Sequence, residues 1–309
     1  MAARLRPITE AEATADYLAF TEAVSFPPHS RLGNVALDRF FFPHRLITPN
    51  KSNTTFMAVM GDPVEARKLE ERTHRIGRLP AATSKNAHRR LRALYYAFQM
   101  YYGAVNQFRA PAAAAVYAAF RPRVGVLDFS AGWGGRCLAA MAAGIPYTGI
   151  DANVDLAHPY KAMIAAYAPT APVNMLFQPA ETVDFAAFDY DLVFTSPPYY
   201  MLEKYSHMPA YGTKREFADR FFVPVVRAAW RHLRRGGHMV LNMPAAMLRD
   251  LEAGAPELPP VADTLPLTLA NKHPMVATRR AHGSRRRART SRIGAERPRT
   301  EAMFVWRKA

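Results

Sequence analysis

The chain has 309 residues, half of them hydrophobic, one cysteine and a formal net charge of +16. A lone Cys137 excludes an internal disulfide framework and argues against a cysteine-based zinc site, and no apolar run approaches the roughly 20 residues of a membrane span. The start, Met1-Ala2-Ala3-Arg4, leads into Glu10 and Glu12 rather than an apolar signal core, which predicts an intracellular, soluble protein of cytoplasm or nucleus.

So large a positive excess favours a polyanionic partner, nucleic acid ahead of an anionic membrane surface. The length allows one sizeable core plus an appendage. Residues 1–104 read as that appendage, a largely helical N-terminal extension available for target recognition. It holds Phe40, Phe41 and Phe42, scattered prolines and little strand–helix alternation. Ser84 is the expected N-cap of one strong helix. Leu91, Leu94, Tyr95, Phe98, Tyr101 and Tyr102 share a face of that helix at core spacing. Its start carries Lys85, Arg89, Arg90 and Arg92, a solvated face or a nucleic-acid contact.

From about residue 124, short apolar runs alternate with helical segments. Strands are predicted over 124–129, 147–150, 173–177, 191–194 and 238–241, with helices near 135–143, 155–167 and 216–234. Further strands are predicted around 265–269 and 302–306. This alternation implies an α/β fold, a doubly wound, mostly parallel sheet covered on both faces, within a second unit taken as 105–309. Between the last two strands, 279–292 is a basic loop that includes Arg279, Arg280, Arg285, Arg286, Arg287 and Arg289. Such blocks often only keep a chain soluble, yet arginine at this density pairs readily with phosphates.

The run Asp128-Phe129-Ser130-Ala131-Gly132-Trp133-Gly134-Gly135 carries a strand through a glycine turn into a helix. Glycine lets backbone approach a ligand and adopts torsions that other residues resist. Asp151 ends the next strand, where an acid accepts from ribose hydroxyls. An acid before the glycines is awkward beside a pyrophosphate but welcome near a cation. This favours S-adenosylmethionine over a dinucleotide. Gln178 or Glu181, after the third strand, borders the cofactor's adenine or is ordinary surface.

Behind the apolar run 192–194 comes Thr195-Ser196-Pro197-Pro198-Tyr199. Two prolines remove two donors and stiffen the turn. What remains is a carbonyl-rich edge beside an aromatic ring, suited to accept from an amine while a flat ring stacks on Tyr199. Its bland alternative is a rigid turn. Tyr200, Glu203, Lys204, Tyr205 and His207 follow in a loop.

In these two motifs the chain resembles the amino-methyltransferases of DNA, which methylate exocyclic nitrogens of adenine or cytosine. Their cofactor motif is similar to 128–134, and their catalytic motif is similar to Ser196-Pro197-Pro198-Tyr199. The stretch Asn106-Gln107-Phe108-Arg109-Ala110-Pro111 resembles the one that closes over the cofactor's methionine end.

The resemblance implies a seven-stranded Rossmann-like methyltransferase sheet and S-adenosylmethionine as cofactor. Phe108, Asp128, Phe129, Ser130, Gly132, Trp133, Gly134, Asp151 and Gln178 would then line the cofactor, with no metal. It also implies Ser196 to Tyr199 as catalytic residues and DNA as partner. Serine at the motif's head tilts the target toward N4 of cytosine over N6 of adenine. RNA, a protein amide, or a non-catalytic nucleic-acid-binding role are the alternatives. About forty residues separate the catalytic loop from the next strand, so target recognition falls to the N-terminal residues or the arginine block. C5-cytosine chemistry needs a cysteine nucleophile, and Cys137 lies on the wrong element.

Overall fold

The computed structural model describes residues 1–26, 30–50, 52–83, 86–200, 209–265 and 301–309. Its strands are β1 Val126–Asp128, β2 Tyr147–Asp151, β3 Val173–Phe177, β4 Leu192–Thr195, β5 His238–Pro244, β6 Asp263–Leu265 and β7 Glu301–Arg307. They form one seven-stranded sheet in the order β3-β2-β1-β4-β5-β7-β6. The first five in that order run parallel, and β7 lies antiparallel to both β5 and β6. The mostly parallel Rossmann-like sheet expected from the sequence is therefore present, with a helical region before it.

Side chains alternate across a strand, and here the alternation sorts the sheet into two cores. Val126, Tyr147, Leu192, Phe194, Val240, Met303 and Val305 pack on one side. Leu127, Ile150, Val193, Met239, Leu241, Phe304 and Trp306 pack on the other. Both faces are covered, which is why these strands read as unbroken apolar runs.

The first face is covered by α2 Glu10–Glu22, α3 Asn34–Ile47, α7 Ala110–Phe120, α8 Gly135–Ala142 and α9 Ala157–Tyr167. The second is covered by α10 Lys214–Phe217, α11 Val223–His232 and α12 Ala245–Gly254. A π-helical segment, Ala218–Phe222, interrupts what the sequence presented as one helix over 216–234.

The helical region before the sheet divides between two cores. Tyr17 and Phe20 of α2 and Leu37 and Phe41 of α3 belong to the sheet's own core. A satellite core gathers α1 Ala2–Leu5, α4 Phe56–Gly61, α5 Pro63–Arg75 and α6 Ala87–Tyr101 around Phe42 and Leu46, the far end of α3. Local rules set these helix starts. Thr9 and Glu12 form a reciprocal capping box on α2, and Asp62 with Pro63 opens α5. The predicted N-cap Ser84 lies outside the described residues. Among the described residues, no helix is long and apolar enough to cross a membrane.

Candidate functional site

Chain order takes β1, β2 and β3 away to one side and β4 and β5 to the other, so the order reverses between β1 and β4. These neighbours pair Val126 with Leu192 and Leu127 with Val193. Their carboxyl ends release the glycine turn and the Ser-Pro-Pro-Tyr turn side by side. Such a switch point is where open parallel sheets bind ligands.

The glycine turn is held mostly by the protein itself. Gly132 and Gly134 adopt φ of 60° and 79°, the left-handed region. A methyl group on Gly134 would meet the Phe41 ring at 2.7 Å, and one on Gly135 would sit 2.0 Å from the Phe108 carbonyl oxygen. Gly132 differs, because a methyl there would find only the Ser130 carbonyl oxygen, at 3.8 Å. Packing therefore requires two of the glycines small, and the third borders open space. Tyr160, fully buried, directs its hydroxyl between the carbonyls of Ala131 (3.1 Å) and Gly132 (3.0 Å).

Asp128 is wholly buried and already engaged. It accepts from Arg136 Nε at 2.7 Å, from Arg136 Nη2 at 3.2 Å and from the Tyr147 hydroxyl at 2.6 Å. Arg136 also donates to the Ser130 carbonyl and lies 4.9 Å over the Phe108 ring. Burial alone would lower the Arg136 guanidinium, but the Asp128 carboxylate outweighs it and holds the group above its ordinary value. Burial, then the Asp128 charge, pushes the Tyr147 phenol well up. Phe129 and Trp133 are likewise core residues, one on each face of the sheet. Cys137 is buried beneath the turn, where burial raises its thiol.

Asp151 ends β2 beside this turn and stays partly open. One carboxylate oxygen accepts from Gly132 N at 2.7 Å and the other from Asn153 N at 2.9 Å. Burial raises its pKa to about 6 against the lowering effect of those two amides. Ser130 is half-buried and donates to the Phe129 carbonyl. Beyond β3, Gln178 is exposed and reaches only Thr182, at 3.4 Å, while Glu181 accepts from the Tyr211 hydroxyl at 3.3 Å.

Phe108 stands edge-on to Phe194, with ring centroids 5.6 Å apart, which seats the 106–109 segment over the start of α8. In that segment Gln107 Oε1 and Arg109 Nε are buried with no partner among the described residues. Buried polar atoms are seldom left unpaired, so each such case calls for an explanation.

At the second turn, Pro197 is buried while Ser196, Pro198 and Tyr199 are half-buried. Asn242, in β5 and 3% exposed, joins the two hydroxyls. Its Nδ2 donates to Ser196 Oγ at 3.0 Å and to the Tyr199 hydroxyl at 2.8 Å. Its backbone carbonyl accepts from Ser196 Oγ at 3.2 Å and from Tyr199 at 3.4 Å. Two buried atoms here, Thr195 Oγ1 and Asn242 Oδ1, have no partner among the described residues. Tyr200 holds φ of 49°, unusual for a side chain of this size, and its hydroxyl donates to Asp250 of α12.

The structure thus brings Ser130, Gly132, Asp151, Ser196 and Tyr199 to one edge of the sheet, with Phe108 closing one side. Gln178 stands off beyond β3. The expected nucleic-acid contacts Arg279, Arg280, Arg285, Arg286, Arg287 and Arg289 lie outside the described residues, as do Glu203, Lys204, Tyr205 and His207. On α6, Arg89 and Arg92 are exposed, while Arg90 pairs with Glu70 at 2.9 Å. Sequence reasoning missed Asn242 because it ended the strand at residue 241. A lone amide inside the apolar run 239–243 was the available signal.

No family model matches the chain, and no curated protein matches it. Among solved structures it is similar to TrmN from Thermus thermophilus, with 16% identity, 65% of this chain and 49% of that chain covered, and a TM-score of 0.38. It is similar to a SAM-dependent O-methyltransferase from Thermotoga maritima, with 13% identity, 69% and 71% covered, and a TM-score of 0.41. It is also similar to the CcbJ methyltransferase from Streptomyces caelestis, with 18% identity, 43% and 47% covered, and a TM-score of 0.34. The chain spans about half the length of TrmN and of CcbJ. At these values the likeness says nothing of what this chain acts on.

Proposed function

We propose that the chain is an S-adenosylmethionine-dependent amino-methyltransferase acting on an exocyclic amine of a base in DNA, with N4 of cytosine favoured over N6 of adenine. The observation that carries this reading is the Ser196–Tyr199–Asn242 cluster, set across the β1/β4 switch point from a glycine turn with open space at Gly132.

The residues present fit the cofactor. Asp151 keeps lone pairs beyond the two it spends on backbone amides, enough to accept from ribose hydroxyls. The orphaned Gln107 Oε1 would accept from an ammonium, and the Arg109 guanidinium would receive a carboxylate. Gly132 leaves room for the backbone to approach. Asp128 is a support for this site rather than a ligand, since Arg136 and Tyr147 already compensate its charge. When bound, the cofactor supplies an electrophilic methyl group on a sulfonium.

The amine of a nucleobase is a weak nucleophile because its lone pair is delocalised into the ring. Ser196 Oγ and the Pro197 carbonyl accept from its two hydrogens, favour the pyramidal form and take up the positive charge that develops. Tyr199 stacks on the base, which has to leave the duplex to reach the turn. Positioning supplies most of the rate.

Incubation with methyl-labelled S-adenosylmethionine and unmethylated DNA, followed by nucleoside mass spectrometry, tests the reading. N4-methylcytosine or N6-methyladenine is the expected product. Label that enters only RNA or protein would overturn the DNA assignment, and no cofactor binding in calorimetry would overturn the enzyme assignment.

A further inference from the structure

The amine-accepting edge depends on a residue that neither turn contains. A serine hydroxyl has one hydrogen to give and two lone pairs to offer, and it rotates to suit its surroundings. Left free, Ser196 could donate to an incoming oxygen or sulfur as readily as it accepts from an incoming amine. Its surroundings remove that freedom. Asn242 Nδ2, 3.0 Å away, can only donate, so it takes one lone pair of Ser196 Oγ. The Asn242 backbone carbonyl, 3.2 Å away, can only accept, and the Tyr199 hydroxyl, also 3.2 Å away, can accept or donate, so the Ser196 hydrogen goes to one of these two. One lone pair of Ser196 stays open when Tyr199 gives its own hydrogen to the Asn242 carbonyl, at 3.4 Å.

The same amide fixes Tyr199. Its second Nδ2 hydrogen goes to the Tyr199 hydroxyl at 2.8 Å, and the carbonyl receives that hydroxyl at 3.4 Å. Asn242 itself cannot move easily. It is 3% exposed and lies within β5, registered against Met303 of β7. Its Oδ1, buried and without a partner among the described residues, is the cost of presenting both Nδ2 hydrogens to the turn. A polar side chain kept in a sheet at that cost is doing something other than filling space.

We infer that Asn242 is a positioning residue that makes Ser196 a pure acceptor, so that the site selects a nucleophile bearing N–H hydrogens over one offering only lone pairs. This deepens the amino-methyltransferase reading and rests on it for its consequence, though not for its geometry. A carboxylate, thiolate or phenolate approaching Ser196 meets a lone pair and no donor. A neutral amine meets an acceptor already aimed.

Two measurements test the inference, and the first is independent of activity. In protein labelled with nitrogen-labelled asparagine, the Asn242 side-chain amide resonances should shift on Ser196→Ala and again on Tyr199→Phe. Resonances that ignore both changes would overturn the proposed geometry. The second measurement uses methyl-labelled S-adenosylmethionine with unmethylated DNA and unmodified RNA in separate reactions. Asn242→Leu should lower kcat about tenfold while cofactor affinity in calorimetry stays within about twofold. In a Ser196→Ala background the same change should cost nothing further.

Asn242→Asp adds a signature that a merely structural role would not give. Its carboxyl donates only while protonated, so its rate should fall as pH rises through that group's pKa, which burial lifts. Additive losses in the double variant, or an Asn242→Asp rate that follows the unsubstituted pH profile, would overturn the inference. An unsubstituted chain that neither binds the cofactor nor transfers methyl would instead overturn the reading of the site, and the amide shifts would still decide the geometry.

Discussion

The turns after β1 and β4 leave neighbouring strands, yet they dispose of their polar atoms in opposite ways. After β1, polarity is turned inward and consumed: Asp128 by Arg136 and Tyr147, and the carbonyls of Ala131 and Gly132 by Tyr160. Aromatic rings and backbone crowd Gly134 and Gly135 from below. After β4, hydroxyls gather at the surface of the turn around Asn242, and two buried oxygens have no partner among the described residues. One turn is a wall and the other is an edge. A close-packed wall holds a fixed position, while an edge with spare acceptors recognises what arrives there. If this division is right, damage to the wall shows up in folding, and damage to the edge shows up in chemistry.

The largest effect should come from breaking the wall. Arg136→Leu leaves Asp128 buried without its cation, which costs about 3–5 kcal/mol in urea unfolding. Ser196→Ala tests the other half. Methyl transfer should fall about a hundredfold, near 2.7 kcal/mol, while unfolding changes by less than about 1 kcal/mol. An equal loss in both measurements would erase the distinction between wall and edge.

The glycines sharpen the boundary within the wall. Gly135→Ala forces a methyl onto the Phe108 carbonyl and should cost about 1–3 kcal/mol of stability. Gly132→Ala meets open space and carries only backbone strain, about 1 kcal/mol, but should weaken S-adenosylmethionine binding in calorimetry more than Gly135→Ala does per unit of lost stability. The reverse ranking would place the ligand elsewhere.

The last test is a pH slope. Burial lifts Asp151 from 3.8 to about 6, so between those values the folded chain holds a proton that the unfolded chain has released. Stability therefore falls as pH rises through that window. Asp151→Asn should flatten the curve there, which thermal unfolding at several pH values would read.

Much of the sheet was legible because buried parallel strands are apolar on both faces, as in 192–194, and turns announce themselves through glycine and proline. The glycine turn and the Ser-Pro-Pro-Tyr turn were legible for the same reason, since local chemistry wrote them. What stayed hidden was long-range pairing. Asp128 looked available to a ligand because its compensating partners, Arg136 and Tyr147, come from a different helix and strand. Phe41 read as one of three adjacent aromatics in the extension, although it packs under Gly134, some ninety residues on. Asn242 was overlooked because a single amide in an apolar run carries meaning only once β4 lies beside it. Helices α2 and α3 gave no hint that they pack on the sheet, or that α3 also joins the satellite core through Phe42 and Leu46, since either core would suit their apolar faces.

The position of β7 bears on how this molecule is made. It enters the sheet between β5 and β6, although residues 301–307 follow both in the chain. Until that stretch leaves the ribosome, β5 is a bare edge, with the row of unpaired backbone groups that invites pairing with another chain. Asn242 sits on that strand, opposite Met303. A nascent chain therefore carries both turns early but acquires the full clamp on Asn242 only once residues 301–307 have been made. Copies that stop short of residue 301 would be prone to self-association through β5.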